Sequence, residues 1–357
     1  MRQMTSKERV ATAFAHQVPD RVPINYLANP GIDGRLKQHF GLHRDDGEGL
    51  RRALGVDFRP IDPPYIGPKR HADIPGMSVD MWGIRRRWIE HASGGYWDYC
   101  DWPLTNATLE EADRWPFPSP DDFDYSMVTR FAQTNAEYCV VAGHPGYGDI
   151  INSTGMLRTM EQVLVDLATD EPAGLRLIER KEVVQLEILR RMLEAARGGI
   201  DMLWLGEDLG TQRGPTISLK LFRKHIRPWM QKFVDLGKAW RIPVMMHSCG
   251  SSSWAFNDFI EMGITVVDTL QPEAKDMAPS FLKQTYGARM AFHGMISTAG
   301  PVAYGSVADA VRHCRDTLET MMPGGGYAFA PTHELQDNSP TENVVAMYET
   351  AQTYGCY

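Results

Sequence analysis

The sequence is poor in cysteine for its length. Five thiols, Cys100, Cys139, Cys249, Cys314 and Cys356, are spread over 357 residues. An odd number of distant cysteines in a large chain does not make a disulfide framework. Reduced thiols are expected, most of them serving as small packing groups. Long apolar runs are also missing: no stretch is long enough to span a bilayer, and "MRQMTSKERVATAFAHQ" has no apolar core of a secretory signal. Positive charge is not in excess. Thirty-seven Lys and Arg against 45 Asp and Glu give a net charge of −8, so the surface as a whole does not attract nucleic acid or anionic lipid. These absences point to a cytoplasmic protein. There is no internal repeat and no low-complexity linker, so residues 1–357 are expected to form one domain, a size that an α/β barrel reaches.

What is present is an ordinary globular mixture, 43% hydrophobic and 23% charged, with a clear order along the chain. "TSKE" at 5–8 is a capping box, Thr5 as N-cap and Glu8 reaching back, and it opens a helix to about His16. "RVPINYL" (21–27) reads as a short strand. "MWGIRRRWIEHASGGYWDYCDWPL" has β-formers on both sides of Ser93-Gly94-Gly95 and reads as a hairpin. Residues 109–170 contain two expected helices around the strand "EYCVVAG". From Glu171 to about Arg197 the apolar spacing is helical. After residue 200 short apolar runs alternate with amphipathic helices over 218–240, 252–262, 277–286, 306–322 and 340–353. Strands alternating with helices predict a parallel sheet. With "RVPINYL", "GVDFRPID" and "EYCVVAG" the strand count approaches the eight of a (β/α)8 TIM barrel with an N-terminal extension and a β-hairpin insertion. A doubly wound open sheet is the alternative, weakened because no GxGxxG follows an early strand.

The apolar runs turn polar at one end. "MLWLG" leads to Glu207-Asp208, "PVMM" to His247-Ser248-Cys249, "TVVD" on to Gln271 and Glu273, "RMAF" to His293, "YAFAP" to Thr332-His333-Glu334, and "CVVAG" to His144. In a barrel these ends meet at the mouth where active sites are built. In an extended chain residues two apart share a face, so His247 and Cys249 project together. Imidazole and thiolate are zinc donors, and a catalytic zinc keeps one position open. A third ligand must come from elsewhere, with His333, Glu273, Glu207 and His293 as candidates. Blander readings stand beside these. An HxC pair alone is a weak motif, Glu207-Asp208 can be a helix-entry cap or a loop salt bridge, His293 reads better as a satisfied core histidine, and His144 as a loop residue held by glycines. Arg85-Arg86-Arg87 is most simply a solvated hairpin face. The Trp and Tyr residues of 82–102 are cross-strand packing or a lid over an aromatic ligand, with packing favoured.

The chain resembles the uroporphyrinogen decarboxylase-like superfamily, and within it the corrinoid-dependent methyltransferases. The resemblance is carried by "TSKERVATAFAHQVPDRVPI", "MWGIRRRW", "EDLGTQRGPTISLKLFRKHIRPWM", "HSCGS" and "GGGYAFAPTHELQDNSPTENVVAMYE". It implies a (β/α)8 barrel. Decarboxylases of the superfamily carry an arginine-bearing "RQAGR" loop after the first strand. Here that region reads "PINYLANPGIDGRL", with only Arg35 nearby, which disfavours porphyrinogen decarboxylation. The methyltransferase branch carries zinc on an H-x-C pair plus a cysteine at the last strand, in a segment resembling "APGCG…TPxEN". His247 and Cys249 match the pair. In "APTHELQDNSPTEN" His333 stands where the cysteine would, ten residues before Asn343. The implied metal set is His247, Cys249 and His333, two imidazoles and one thiolate. With less thiolate donation the zinc is a stronger Lewis acid and suits an oxygen ligand.

The resemblance therefore implies a zinc-dependent methyltransferase that moves a methyl group from a methoxylated, aromatic compound to the Co(I) corrinoid of a partner protein, with Glu207 or Asp208 orienting the substrate or managing a proton. No "DxHxxG" cobalamin-binding motif is present, so the corrinoid is expected on the partner. Methyl transfer to or from a thiol such as coenzyme M, a cofactor-free decarboxylase, and a protein that binds without reacting are the alternatives.

Overall fold

The computed structural model describes residues 3–91 and 94–357. Two groups of strands are formed. A parallel sheet contains β1 (Phe58–Ile61), β5 (Cys139–Gly143), β6 (Met202–Gly206), β7 (Val244–Ser248), β8 (Val266–Thr269), β9 (Ala291–Ile296) and β10 (Tyr327–Pro331), neighbours in that order. A separate antiparallel unit contains β2 (Ser78–Val79), β3 (Arg85–His91) and β4 (Gly94–Asp101). Strands β5 to β10 are buried at every position, as parallel strands covered on both faces must be.

Two apolar layers cover those faces. The larger packs the helices onto the sheet. The smaller takes residues from all seven strands, among them Phe58, Val141, Met202, Trp204, Met245 and Val266, with Val10 buried in the same cluster. It fills the inside of the curl. Alternation then places the next inward residues, such as His247 above Met245 and Asp268 above Val266, one layer higher, towards the C-terminal ends of the strands.

The eight-stranded closure expected from the sequence is not realised. Residues 21–27 lie between the sheet edges β10 and β1 but form no regular strand. Ile24 makes an isolated parallel bridge to Phe329. The Phe329 N–H donates to the Pro23 carbonyl, the Asn25 N–H to Phe329, and the Asp57 N–H to Ile24. Pro23 has no N–H to give, and the Ile24 N–H goes to Asp57 Oδ2 at 2.8 Å rather than to a main-chain carbonyl. The sheet is curled and TIM-barrel-like, with seven strands and a spliced seam.

Most helices fall where the apolar spacing predicts them. The Thr5–Glu8 capping box opens Ser6–Phe14, and the long helix is Pro172–Ala196. Residues 109–170 hold four α-helices rather than two: Leu109–Arg114, Tyr125–Thr134, Ile151–Arg158 and Met160–Thr169. Side-chain caps at Thr108, Asp124 and Thr159 start new helices there, and the prolines at 116, 118 and 120 prevent continuation. The hairpin β3–β4 forms as expected, although its turn residue Ser93 lies outside the described residues. Ile84 and Leu104 at its base pack with Leu157 and Leu177. At its far end an added Cβ on Gly94 would lie 2.5 Å from Asp337 Oδ2. The hairpin thus runs from the helix Ile151–Arg158 to the loop that follows β10.

The seam depends on Asp57. Its buried carboxylate accepts from Arg9 Nη1 at 2.6 Å, Arg21 Nη1 at 2.8 Å, Ser6 Oγ at 2.7 Å and the Ile24 N–H. Asp57→Ala leaves Arg21 without its carboxylate and Arg9 with Asp20 alone, and the expected loss is about 3–5 kcal/mol, read as a lower urea midpoint. Asp20 belongs to the same cluster. Burial would raise its pKa, but the Arg9 hydrogen bond and the Met4 N–H outweigh that and hold it at about 2. A depressed folded-state pKa stabilises above the ordinary carboxylate value and is lost as pH falls through the folded one. The wild-type protein should therefore lose stability more steeply between about pH 4 and pH 2 than Asp20→Asn, measured by denaturant titration at each pH.

Candidate metal centre

His247, Cys249 and His333 come together at the mouth of the curled sheet. One donor atom from each lies within 4.8 Å of the other two. The Cys249 Sγ is 3.3 Å from His247 Nε2. Tetrahedral zinc with ordinary Zn–N and Zn–S bonds separates such a pair by about 3.6 Å, so this donor set and spacing fit the ion. Burial falls along the series: His247 is buried, Cys249 half-buried and His333 exposed.

The His247 ring is held from behind. The inward side of β7 carries His247, whose Nδ1 meets Asp268 Oδ2 at 2.7 Å. Parallel register places Asp268 beside His247 and His293 beside Asp268. The His293 Nδ1 meets Asp268 Oδ1 at 2.5 Å, its Nε2 faces Asn25 Nδ2 at 3.0 Å, and the Trp204 indole donates to Asp268 Oδ2 at 3.1 Å. Burial would lower the His247 pKa, but the hydrogen bonds with Asp268 and Cys249 prevail and raise it well above the ordinary imidazole value. Burial would raise Asp268, yet His293 and His247 keep it far below the usual carboxylate range. Burial raises the Cys249 thiol, partly offset by His247. A carboxylate on the far nitrogen fixes the ring tautomer and increases its basicity as a ligand.

The backbone at the mouth is bent to suit. Gly250 has φ +68°, and a Cβ there would lie 2.3 Å from the Gly210 carbonyl oxygen, so "HSCG" needs its glycine. The His333 backbone has φ +60° and Thr269 +78°, and the His333 N–H donates to Thr269 Oγ1 at 2.8 Å. A β-branched residue in this region is strained, and the strain sits where the third donor is aimed.

Beside the donors is a cavity of about 940 Å³, reached by His247, His333, Glu207 and Asp208. Trp82, Tyr99, Trp102, Met81, Met156 and Met160 give it apolar walls. The hairpin aromatics thus divide. Trp88 and Trp97 pack edge to face at 5.7 Å, whereas Tyr99 looks into the cavity. The arginine run divides too. Arg87 is exposed, Arg85 pairs with Asp101 at 2.5 Å, and Arg86 lines the cavity, paired with Asp80 at 2.8 Å.

The remaining candidates take other places. Glu207 is buried at the start of the helix Ile151–Arg158, accepting the Ile150 N–H at 2.9 Å and the Ile151 N–H at 3.3 Å. Burial, with Asp149 adding to it, raises its pKa well above normal. Asp208 Oδ1 accepts the Cys249 N–H at 2.8 Å. His293 is a fully buried core histidine. The Glu273 carboxylate accepts the Ser297 hydroxyl. His144 lines the cavity, its Nδ1 accepting the Gly146 N–H at 2.9 Å. Arg35 is spent on the carbonyls of Asp337 and Ser339 at 2.8 and 2.9 Å and does not reach the cavity. Sequence reasoning passed over Asp268, although a lone carboxylate in the run "TVVDT", in line with two histidine-bearing strands, was a usable signal. Asp149 and Asn152, in "GYGDIIN", carried none.

This sheet and this mouth define a known class, and the chain belongs to the uroporphyrinogen decarboxylase (URO-D) family, whose model matches residues 153–354. The fold is similar to that of a methyltransferase from Methanosarcina mazei, with a TM-score of 0.65 and 16% identity over 98% of this chain and 99% of that one. A β-amylase catalytic domain from Paenibacillus polymyxa aligns with a TM-score of 0.35 and 10% identity over 95% of this chain and 100% of that one, too slight a likeness to bear on function. No curated protein matches. Among the described residues no helix is long and apolar enough to cross a membrane.

If Asp268 orients His247, then Asp268→Ala should fold and lose metal affinity by about 10–100-fold, measured by competition with a chromogenic chelator. Unchanged affinity in a folded variant would remove Asp268 from this role.

Proposed function

We propose that the chain is a zinc-dependent methyltransferase that moves a methyl group from a methoxylated aromatic substrate to the Co(I) corrinoid of a partner protein. The observation that carries the reading is the convergence of His247, Cys249 and His333 beside a cavity walled by tryptophan and tyrosine. His247, Cys249 and His333 would hold the zinc, which when bound would supply Lewis acidity for an ether oxygen. Two imidazoles and one thiolate make a harder site than one imidazole and two thiolates, and that favours oxygen over sulfur as the substrate atom.

The chain's own groups have definite tasks in this reaction. Asp268 keeps the His247 ring turned so that Nε2 faces the mouth. Trp82, Tyr99 and Trp102 offer faces and edges to a planar ring. In this reaction the O–CH3 bond would break with its electron pair going to oxygen, and the carbon would take its new pair from the partner's Co(I). The leaving oxygen then needs charge stabilisation and, at the end, a proton. Both carboxylates already accept hydrogen bonds, but Glu207 is buried whereas the Asp208 side chain is part-exposed at the cavity, so orienting the substrate falls first to Asp208, with Glu207 as the buried carboxyl behind it. The mouth must admit the partner's corrinoid, and the hairpin β3–β4 is the element that borders it.

The test is methyl transfer from methoxyphenols to a reduced corrinoid protein, followed by loss of Co(I) absorbance, beside zinc analysis. His247→Ala, Cys249→Ala and His333→Ala should lose zinc and transfer together. Full turnover by metal-free protein would overturn the reading.

A further inference from the structure

The carboxylate of Asp208 lies close to the three donors and is held back from them. Its Oδ1 lies 3.8 Å from His247 Nε2 and accepts the Cys249 N–H at 2.8 Å. Its Oδ2 accepts from Asn152 Nδ2, also at 2.8 Å. Aspartate oxygens bind zinc well, and four protein ligands make a closed, structural site where three leave a position for substrate. An untethered Asp208 is therefore a competitor for the position that the reaction needs.

The two tethers are not equivalent. The Cys249 N–H belongs to the ligand segment itself. Asn152 belongs to the helix Ile151–Arg158, and that helix start is fixed. The N–H groups of Ile150 and Ile151 go to Glu207, and those of Asn152 and Ser153 go to the Asp149 side chain, each at 3.1 Å. The N–H groups that a helix start leaves over are satisfied by two carboxylates of the protein, so this end is not free to take a substrate anion. It serves as an anchor for the Asn152 side chain.

We propose that Asn152 is a positioning residue that keeps Asp208 out of the metal shell and so keeps one coordination position open for the substrate oxygen. This rests on the metal reading above.

Cobalt(II) in place of zinc reports coordination by its visible spectrum, and azide probes an open position without any methyl transfer. The wild-type Co(II) spectrum should respond to azide. In Asn152→Ala the response should need at least 10-fold more azide, with Co(II) bound no more weakly than in wild type. Removing the competitor as well, in Asn152→Ala/Asp208→Ala, should restore the response. If Asn152→Ala does not fold, judged by circular dichroism, Asn152→Ser shortens the same tether. A variant of Asn152 with the wild-type azide response overturns the inference while leaving the metal reading intact. Wild-type protein that binds no Co(II) overturns the metal reading, and the inference with it.

Discussion

One buried carboxylate organises the mouth of this protein. Asp268 sits inside the curl of the sheet and accepts from His247, His293 and Trp204, each on a different strand. A charge in that place without partners would cost several kcal/mol, so the three neighbours are a condition for its being there. Their alignment is a matter of register: His247, Asp268 and His293 are direct partners across β7, β8 and β9. A slip of β8 by one residue would turn the carboxylate towards the helices and away from both imidazoles. The pairing that makes the fold and the pairing that aims the imidazole are the same.

Above that layer the architecture changes character. Regular ladder gives way to bends at Thr269, Leu270, Met295 and His333, all with positive φ, and to side chains that grip backbone. Glu207 and Asp208 follow β6 directly and both reach towards the helix Ile151–Arg158, one through its N–H groups and one through Asn152. The helix start, the cavity and the cysteine-bearing turn are therefore tied together. The hairpin supplies the remaining wall, tied at its base to Leu157 and at its far end beside Asp337.

Much of this was legible in the sequence. Alternating apolar runs and helices announced the parallel sheet, because burial on both faces leaves an unmistakable pattern. Polar residues at one end of each run announced the mouth, and the spacing of His247 and Cys249 put both on one side of a strand. What could not be read depended on partners distant in the chain. The seam at 21–27 looks like a strand until Asp57 takes the Ile24 N–H. Glu207 follows β6 in sequence, but which helix start it caps shows only when Ile150 and Ile151 stand beside it. The breaks within 109–170, by contrast, follow local signals, the caps at Thr108, Asp124 and Thr159 and the prolines at 116, 118 and 120. Asn152 has meaning only beside Asp208, and nothing local to "DIIN" predicts that neighbour.

The third donor has a different kind of attachment from the first two. Residue 333 is placed by its main chain, through the N–H bond to Thr269 Oγ1, and its side chain is exposed at the rim. The scaffold therefore specifies where a donor stands without specifying which donor it is. In an evolving lineage, exchange at this one position would change the donor set offered to a metal held as proposed, with the strands, the register and the buried carboxylate left untouched. The first two donors cannot drift in this way, since one is bound into the interior and the other into a glycine turn. Chemical diversification of such a protein is thus channelled to a single codon.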